Sequence, residues 1–93
     1  MKVRVKVYGH LQTIFNSKKF EVELPYQSTL DDLINKIGAI YGKEKTKELY
    51  PQESARFPLI IIVGNKDYRF INGMNTLLED GTTVYFIPPA VGG

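Results

Sequence analysis

Along the first residues of the chain, Val3, Val5 and Val7 alternate with Lys2, Arg4 and Lys6. A period of two turns the valines toward a core and the cations toward solvent, and so predicts a strand. Leu11, Ile14 and Phe15 follow at near-helical spacing, but Gly9, Asn16 and Ser17 bracket them closely, and only a loop or a single turn is expected. A second alternation, Phe20-Glu21-Val22-Glu23-Leu24, stops at Pro25 and predicts a strand paired antiparallel with the first. Ser28 is expected to cap a helix, with Asp31 reaching back to the cap. Leu30, Leu33, Ile34, Ile37, Ile40 and Tyr41 then form one apolar stripe at steps of three and four, and Gly42 supplies a left-handed stop.

Residues 43–57 are charged and then interrupted by Pro51, so they read as a short helical turn near Glu44 to Leu49 followed by loop. The length of that segment suggests a surface insertion, with a partner-binding loop as the alternative. Residues 58–63, Pro-Leu-Ile-Ile-Ile-Val, are continuously apolar, which predicts a central strand covered on both faces, with Gly64-Asn65-Lys66-Asp67 as its turn. Tyr68 to Ile71 read as a short returning edge strand, and Thr76 to Glu79 as one turn of helix. Thr83 to Ile87 read as the last strand, which Pro88 ends by removing a ladder donor. The order of hairpin, helix, strand, small strand and last strand is that of an α+β domain of the β-grasp, ubiquitin-like kind. A mixed sheet wraps one main helix, and the first and last strands can lie parallel at its centre because the helix supplies the crossover.

Composition narrows the function. A chain of 93 residues makes one domain with one core, and 43% hydrophobic and 24% charged residues are ordinary for a globular protein. The formal charge of +2 is a small excess, and cations interleave with acids in Lys43-Glu44-Lys45 and Lys47-Glu48, which argues against nucleic-acid binding. Cysteine is absent, so disulfides, thiolate nucleophiles and cysteine-bound metals are excluded, and any sulfur chemistry must use sulfur brought from elsewhere. His10 is the only histidine, which rules out a metal site built on two of them and makes a surface or loop role the ordinary reading. No apolar run approaches the roughly 20 residues of a membrane span, and the alternating start differs from a signal-peptide core, so a cytoplasmic protein is expected. Neither a phosphate loop nor a metal motif is present, so the chain is not expected to be an enzyme by itself.

The closing string Phe86-Ile87-Pro88-Pro89-Ala90-Val91-Gly92-Gly93 sets stiffness beside its opposite. Two prolines hold an extended direction, whereas two glycines lose more entropy on ordering than any other pair. A frayed end accounts for the glycines alone. A narrow tail accounts for the whole string, because residues without a Cβ can enter a channel closed to side chains. From Ala90 to Gly93 the reach is about 13 Å at roughly 3.3 to 3.6 Å per residue. A single domain over 1–93 with a flexible tail over 88–93 is therefore expected.

The string Asp80-Gly81, Val84 to Ile87, Pro88-Pro89, Ala90-Val91 and Gly92-Gly93, taken with the start Met1 to Leu11 and the β-grasp order, resembles the MoaD/ThiS sulfur-carrier family over essentially the whole chain. Within that family the likeness is to MoaD, the small subunit of molybdopterin synthase. The resemblance implies that the carboxylate of Gly93 is adenylated by an E1-like adenylyltransferase of the MoeB kind, using ATP and Mg²⁺, with no cofactor bound to the carrier itself. A persulfide on another protein would then convert it to a thiocarboxylate. The tail, with Pro88, Pro89, Ala90, Val91 and Gly92 leading to Gly93, would insert into a large subunit of the MoaE kind, where sulfur passes to a pterin precursor.

Docking of such partners requires an apolar patch beside the tail, for which Tyr8, Leu59, Ile61, Phe70, Phe86 and Ile87 are candidates. The core is the ordinary place for each of them, since alternation alone does not say which face of a strand lies outside. Two other readings of the tail stand beside the first. The acceptor would be a thiazole precursor or a lysine amine in a thiamine-pathway carrier or a ubiquitin-like modifier. In a β-grasp interaction module the tail would carry no chemistry.

Overall fold

The computed structural model describes residues 1–52 and 56–89. The alternating valines form β1 (Lys2–Val7), with Val3, Val5 and Val7 buried and Lys2 and Arg4 exposed. A five-residue helix, α1 (Leu11–Phe15), is the single turn expected there, and Asn16 ends it in the left-handed region at φ 51°. β2 (Lys19–Glu23) then pairs antiparallel with β1, Val3 opposite Val22 and Val5 opposite Phe20.

The main helix, α2 (Leu30–Tyr41), starts one residue later than the sequence suggested. Thr29, not Ser28, is the cap: its Oγ1 accepts from the Asp32 N–H, and the Asp32 carboxylate accepts from the Thr29 N–H, so two otherwise unpaired donors are satisfied reciprocally. Ser28 is buried and spends its hydroxyl on the Pro25 carbonyl at 2.7 Å. Leu30, Leu33, Ile34 and Ile37 are buried, and with Val3, Val5, Ile61, Val84 and Phe86 they belong to one hydrophobic cluster. Each such side chain contributes about 1.5–3 kcal/mol by leaving water. Gly42, at φ +108°, is the stop.

Beyond the helix, α3 (Lys43–Thr46) and a 3₁₀ turn over Lys47–Leu49 form the predicted short helical piece. Thr46 and Leu49 are buried, so this part of the segment is anchored in the domain and is not a free surface insertion. β3 (Ile60–Val63) follows, then β4 (Lys66–Asp67) and β5 (Thr83–Ile87). Among the described residues the sheet has five strands in the order β2-β1-β5-β3-β4. β5 runs parallel to β1 and antiparallel to β3, so the mixed β-grasp sheet with its first and last strands side by side at the centre is as expected, whereas residues 58–63 are not its central strand.

Two short segments differ from expectation for local reasons. Residues 68–70 form a 3₁₀ turn in place of an edge strand, because the Asp67 carboxylate accepts from the Arg69 N–H at 2.9 Å and holds the Arg69 guanidinium at 2.8 Å. Residues 76–79 form no helical turn. Thr76 C=O accepts from Leu30 N–H, Leu77 bridges Thr29, and Leu78 N–H donates to Ser28 C=O, which ties this segment to the start of α2. Among the described residues no helix is long and apolar enough to cross a membrane.

Candidate functional site: the end of β5 and the open sheet face

Register decides which apolar side chains are available to a partner. Val5 stands beside Val84 and Val7 beside Phe86, so the even positions of β5 face the helix. Thr83, Tyr85 and Ile87 therefore face away from it, and in β3 so do Ile62, opposite Tyr85, and Ile60, opposite Ile87. Ile60 is 40% exposed and Tyr8, just past β1, is 38% exposed. The rings of Tyr8 and Tyr85 stack at 6.5 Å, and Lys6 Nζ lies 5.7 Å from the Tyr85 ring centre. Tyr8, Ile60, Ile62, Tyr85 and Ile87 thus make one apolar face with cations at its β1 border.

This corrects the expected patch. Ile61 and Phe86 are both fully buried, since their strands point them at α2, and neither is available for docking. Tyr8 and Ile87 are on the open face. Leu59 is partly buried against the core and borders a different feature, a groove of about 260 Å³ shared with His10, Glu48, Phe57, Pro88 and Pro89. Phe70 is 83% exposed but sits on the 3₁₀ turn after β4, off the sheet strands. Ile60, Ile62 and Tyr85 went unrecognised. In Ile60-Ile61-Ile62-Val63 every position is apolar, so no alternation marks a face; the only readable signal was Tyr85, an amphipathic residue between the apolar Val84 and Phe86.

The chain leaves the sheet at a defined place. Tyr8 N–H donates to Phe86 C=O at 3.2 Å, and beyond it Pro88 packs against Gly9, whose φ of +57° removes the β1 strand from its path. Pro88 and Pro89 are partly buried, held against the domain at the start of the expected tail. Ala90, Val91, Gly92 and Gly93 lie outside the described residues. His10 Nε2 is 2.9 Å from Glu48 Oε2 in the same groove, a surface pairing in keeping with the ordinary reading of that histidine. Among the described residues no three histidine or acidic side chains converge as metal ligands would.

A mixed five-stranded sheet against one main helix is the β-grasp, ubiquitin-like fold. The ThiS family model matches residues 5–93, and the chain belongs to that family of ubiquitin-like sulfur carriers. It is similar to the ubiquitin-related modifier 1 homolog of Dictyostelium discoideum, 27% identical over 96 residues that span the whole of both chains. Among solved structures it is similar to a chain of the Amycolatopsis orientalis BexX/CysO complex, at 26% identity and TM-score 0.73, covering 98% of this chain and 99% of that one. It is also similar to the Pyrococcus furiosus protein assigned as molybdopterin converting factor, subunit 1, at 25% identity and TM-score 0.72, covering 96% and 98%.

Proposed function

We propose that this chain is a sulfur carrier that acts through the carboxylate of Gly93 and serves molybdopterin assembly. The observation that carries the reading is the exit from the sheet: β5 runs into Pro88, seated on Gly9, next to an open apolar face, and the sequence continues Ala90-Val91-Gly92-Gly93. The family match extending through residue 93 and the likeness to the Pyrococcus furiosus subunit support it.

The chemistry follows from the carboxylate. Ionised at neutral pH, it resists nucleophiles and must first be activated. On an E1-like partner of the MoeB kind, an oxygen of Gly93 attacks the α-phosphorus of Mg²⁺-bound ATP, expels pyrophosphate and leaves an acyl adenylate. A persulfide held by another protein attacks the acyl carbon and expels AMP. A thiol then attacks the donor-side sulfur, forms a disulfide with the donor and releases the thiocarboxylate. That tail delivers sulfur inside a large subunit of the MoaE kind. The chain contributes the reacting carboxyl, a narrow approach through Ala90, Val91 and Gly92, and the docking face of Tyr8, Ile60, Ile62, Tyr85 and Ile87; the catalytic groups belong to its partners.

Incubation with an E1-like enzyme, ATP, Mg²⁺ and a persulfide donor is expected to add the mass of one oxygen-to-sulfur exchange, placed on Gly93 by fragmentation, and to release AMP and pyrophosphate. Deleting Gly93 is expected to abolish both. An adenylating enzyme competent on other family members that yields neither adenylate nor thiocarboxylate here would overturn the reading. A second reading, a protein modifier, is favoured by the full-length likeness to the Dictyostelium modifier. The same adenylated glycine serves an amine acceptor, and Gly93 found only in amide linkage to lysine would place that reading first.

A further inference from the structure

β2 is an outer strand of the sheet, and its register identifies the backbone groups that face nothing. Met1 and Leu24 exchange hydrogen bonds in both directions, at 2.8 and 2.9 Å, and Val7 N–H donates to Lys18 C=O at 3.0 Å. Antiparallel pairs alternate between bonded and non-bonded, so Phe20 and Val22 turn their N–H and C=O toward β1, while Lys19, Glu21 and Glu23 turn theirs to the open edge. Ser17 closes the first of these positions: its Oγ donates to Lys19 C=O at 2.7 Å and accepts from Lys19 N–H at 3.3 Å. Glu21 and Glu23 keep outward N–H and C=O groups with no protein partner among the described residues. The opposite edge offers less, because β4 is two residues long and passes straight into a 3₁₀ turn.

Side chains flank this edge in two rows of different chemistry. On the helix side, Phe20 is partly buried and packs on Tyr41 at 4.9 Å and on Phe15 at 5.6 Å between ring centres, an aromatic shelf along the strand. On the outer side Lys2 faces Glu23 and Arg4 faces Glu21, but Lys6 faces Lys19. Like charges directly opposite are destabilising, and neither lysine has an ion-pair partner among the described residues. With Arg4, Phe20 and Glu21 they line an open cleft of about 580 Å³.

We propose that the open edge of β2 receives an extended segment of a partner protein as an added strand, with an acidic side chain over Lys6 and Lys19 and an apolar one over Phe20 and Tyr41. Main-chain bonds to Glu21 and Glu23 supply the attachment, and the alternation of acid and apolar residue supplies the specificity. The acid cancels the repulsion that the hairpin otherwise retains. A second copy of the chain fits worse, because antiparallel pairing of two β2 edges about Glu21 sets the two Glu21 carboxylates face to face. This edge lies across β1 from the strand that carries Tyr85, and Lys6 is shared with the border of that face.

The test uses the full-length ¹⁵N-labelled protein and a blocked eight-residue peptide of alternating aspartate and valine. The amide signals of Glu21 and Glu23 are expected to shift and their hydrogen exchange to slow, with β4 amides unmoved. Lys19→Glu is expected to weaken binding about tenfold, and replacing the peptide's aspartates by lysine to remove it. Glu21→Pro deletes an N–H that the β1 ladder does not use, so it is expected to abolish binding while leaving the β1 and β5 signals in place. Thiocarboxylate formation on Gly93 is read separately and is expected to be unaffected by Lys19→Glu. Unmoved Glu21 and Glu23 amides, equal binding of the lysine peptide, or edge shifts that depend on protein concentration without peptide would each overturn the proposal.

Discussion

A Cβ placed on Gly9 would lie 2.9 Å from Cγ of Pro88. Gly9, two residues past the first strand, and Pro88, which follows the last, are thus fitted to each other across most of the chain's length. Gly9 also holds φ at +57°, where other residues are strained. The end of the sheet is shaped for the backbone at both sides of the exit.

Gly9→Ala is therefore expected to cost about 2–3 kcal/mol, the left-handed penalty plus displacement of a ring that cannot fold away. Combining it with Pro88→Ala should return the steric part and leave the backbone part. Denaturant unfolding of the two single variants and the double variant measures the coupling; additive losses would contradict the contact.

Neighbouring residues of β5 should behave oppositely. Phe86→Ala opens a cavity under α2 and is expected to cost about 3–5 kcal/mol. Tyr85→Ala, on the open face, is expected to change stability by less than about 1 kcal/mol while weakening association with an E1-like partner. Thermal unfolding and titration calorimetry on the two variants separate the effects.

At the start of α2, Thr29→Ala is expected to cost about 1 kcal/mol, a typical cap loss. Asp32→Ala should cost more than Asp31→Ala, since Asp32 accepts from the Thr29 N–H at 2.9 Å and Asp31 only reaches Asn35 at 3.4 Å. Equal effects of the two acid variants in urea unfolding would contradict this cap assignment.

Hydrogen bonds from the Arg69 side chain hold the Asp67 carboxyl below the usual carboxylate range, against the opposing effect of its partial burial. A depressed folded pKa means that the stabilisation is present above the ordinary aspartate value of about 3.9 and is lost as pH falls through the lower folded value. The ¹³C chemical shift of the Asp67 carboxyl should accordingly titrate below that of a free aspartate. In Arg69→Ala it should move back up, and an unchanged midpoint would contradict the pairing.

Local periodicity carried most of the architecture. Val3, Val5 and Val7 were assignable to a buried face because cations separate them, and the α2 stripe from Leu30 to Ile37 because it recurs at helical steps, although Ile40, read into the same stripe, is exposed. Helix capping was legible only to within one position, since Ser28 and Thr29 both suit a cap and the choice depends on the Pro25 carbonyl, which takes the Ser28 hydroxyl. Residues 68–71 were misread as a strand because β propensity is a weak preference and the Asp67–Arg69 pairing overrides it locally.

What the sequence by itself determined is the order of the main elements and the β-grasp class, because those reside in spacing and residue type. Tertiary structure alone decided which apolar residues lie on the open face. A run such as Ile60-Ile61-Ile62-Val63 has two apolar sides, and only pairing with β5 turns Ile61 and Val63 toward the helix and Ile60 and Ile62 away from it. The same pairing buries Phe86 and turns Tyr85 to the open face. A one-residue change of register would exchange the two faces, so that assignment depends on long-range hydrogen bonds and helix packing that no local pattern specifies.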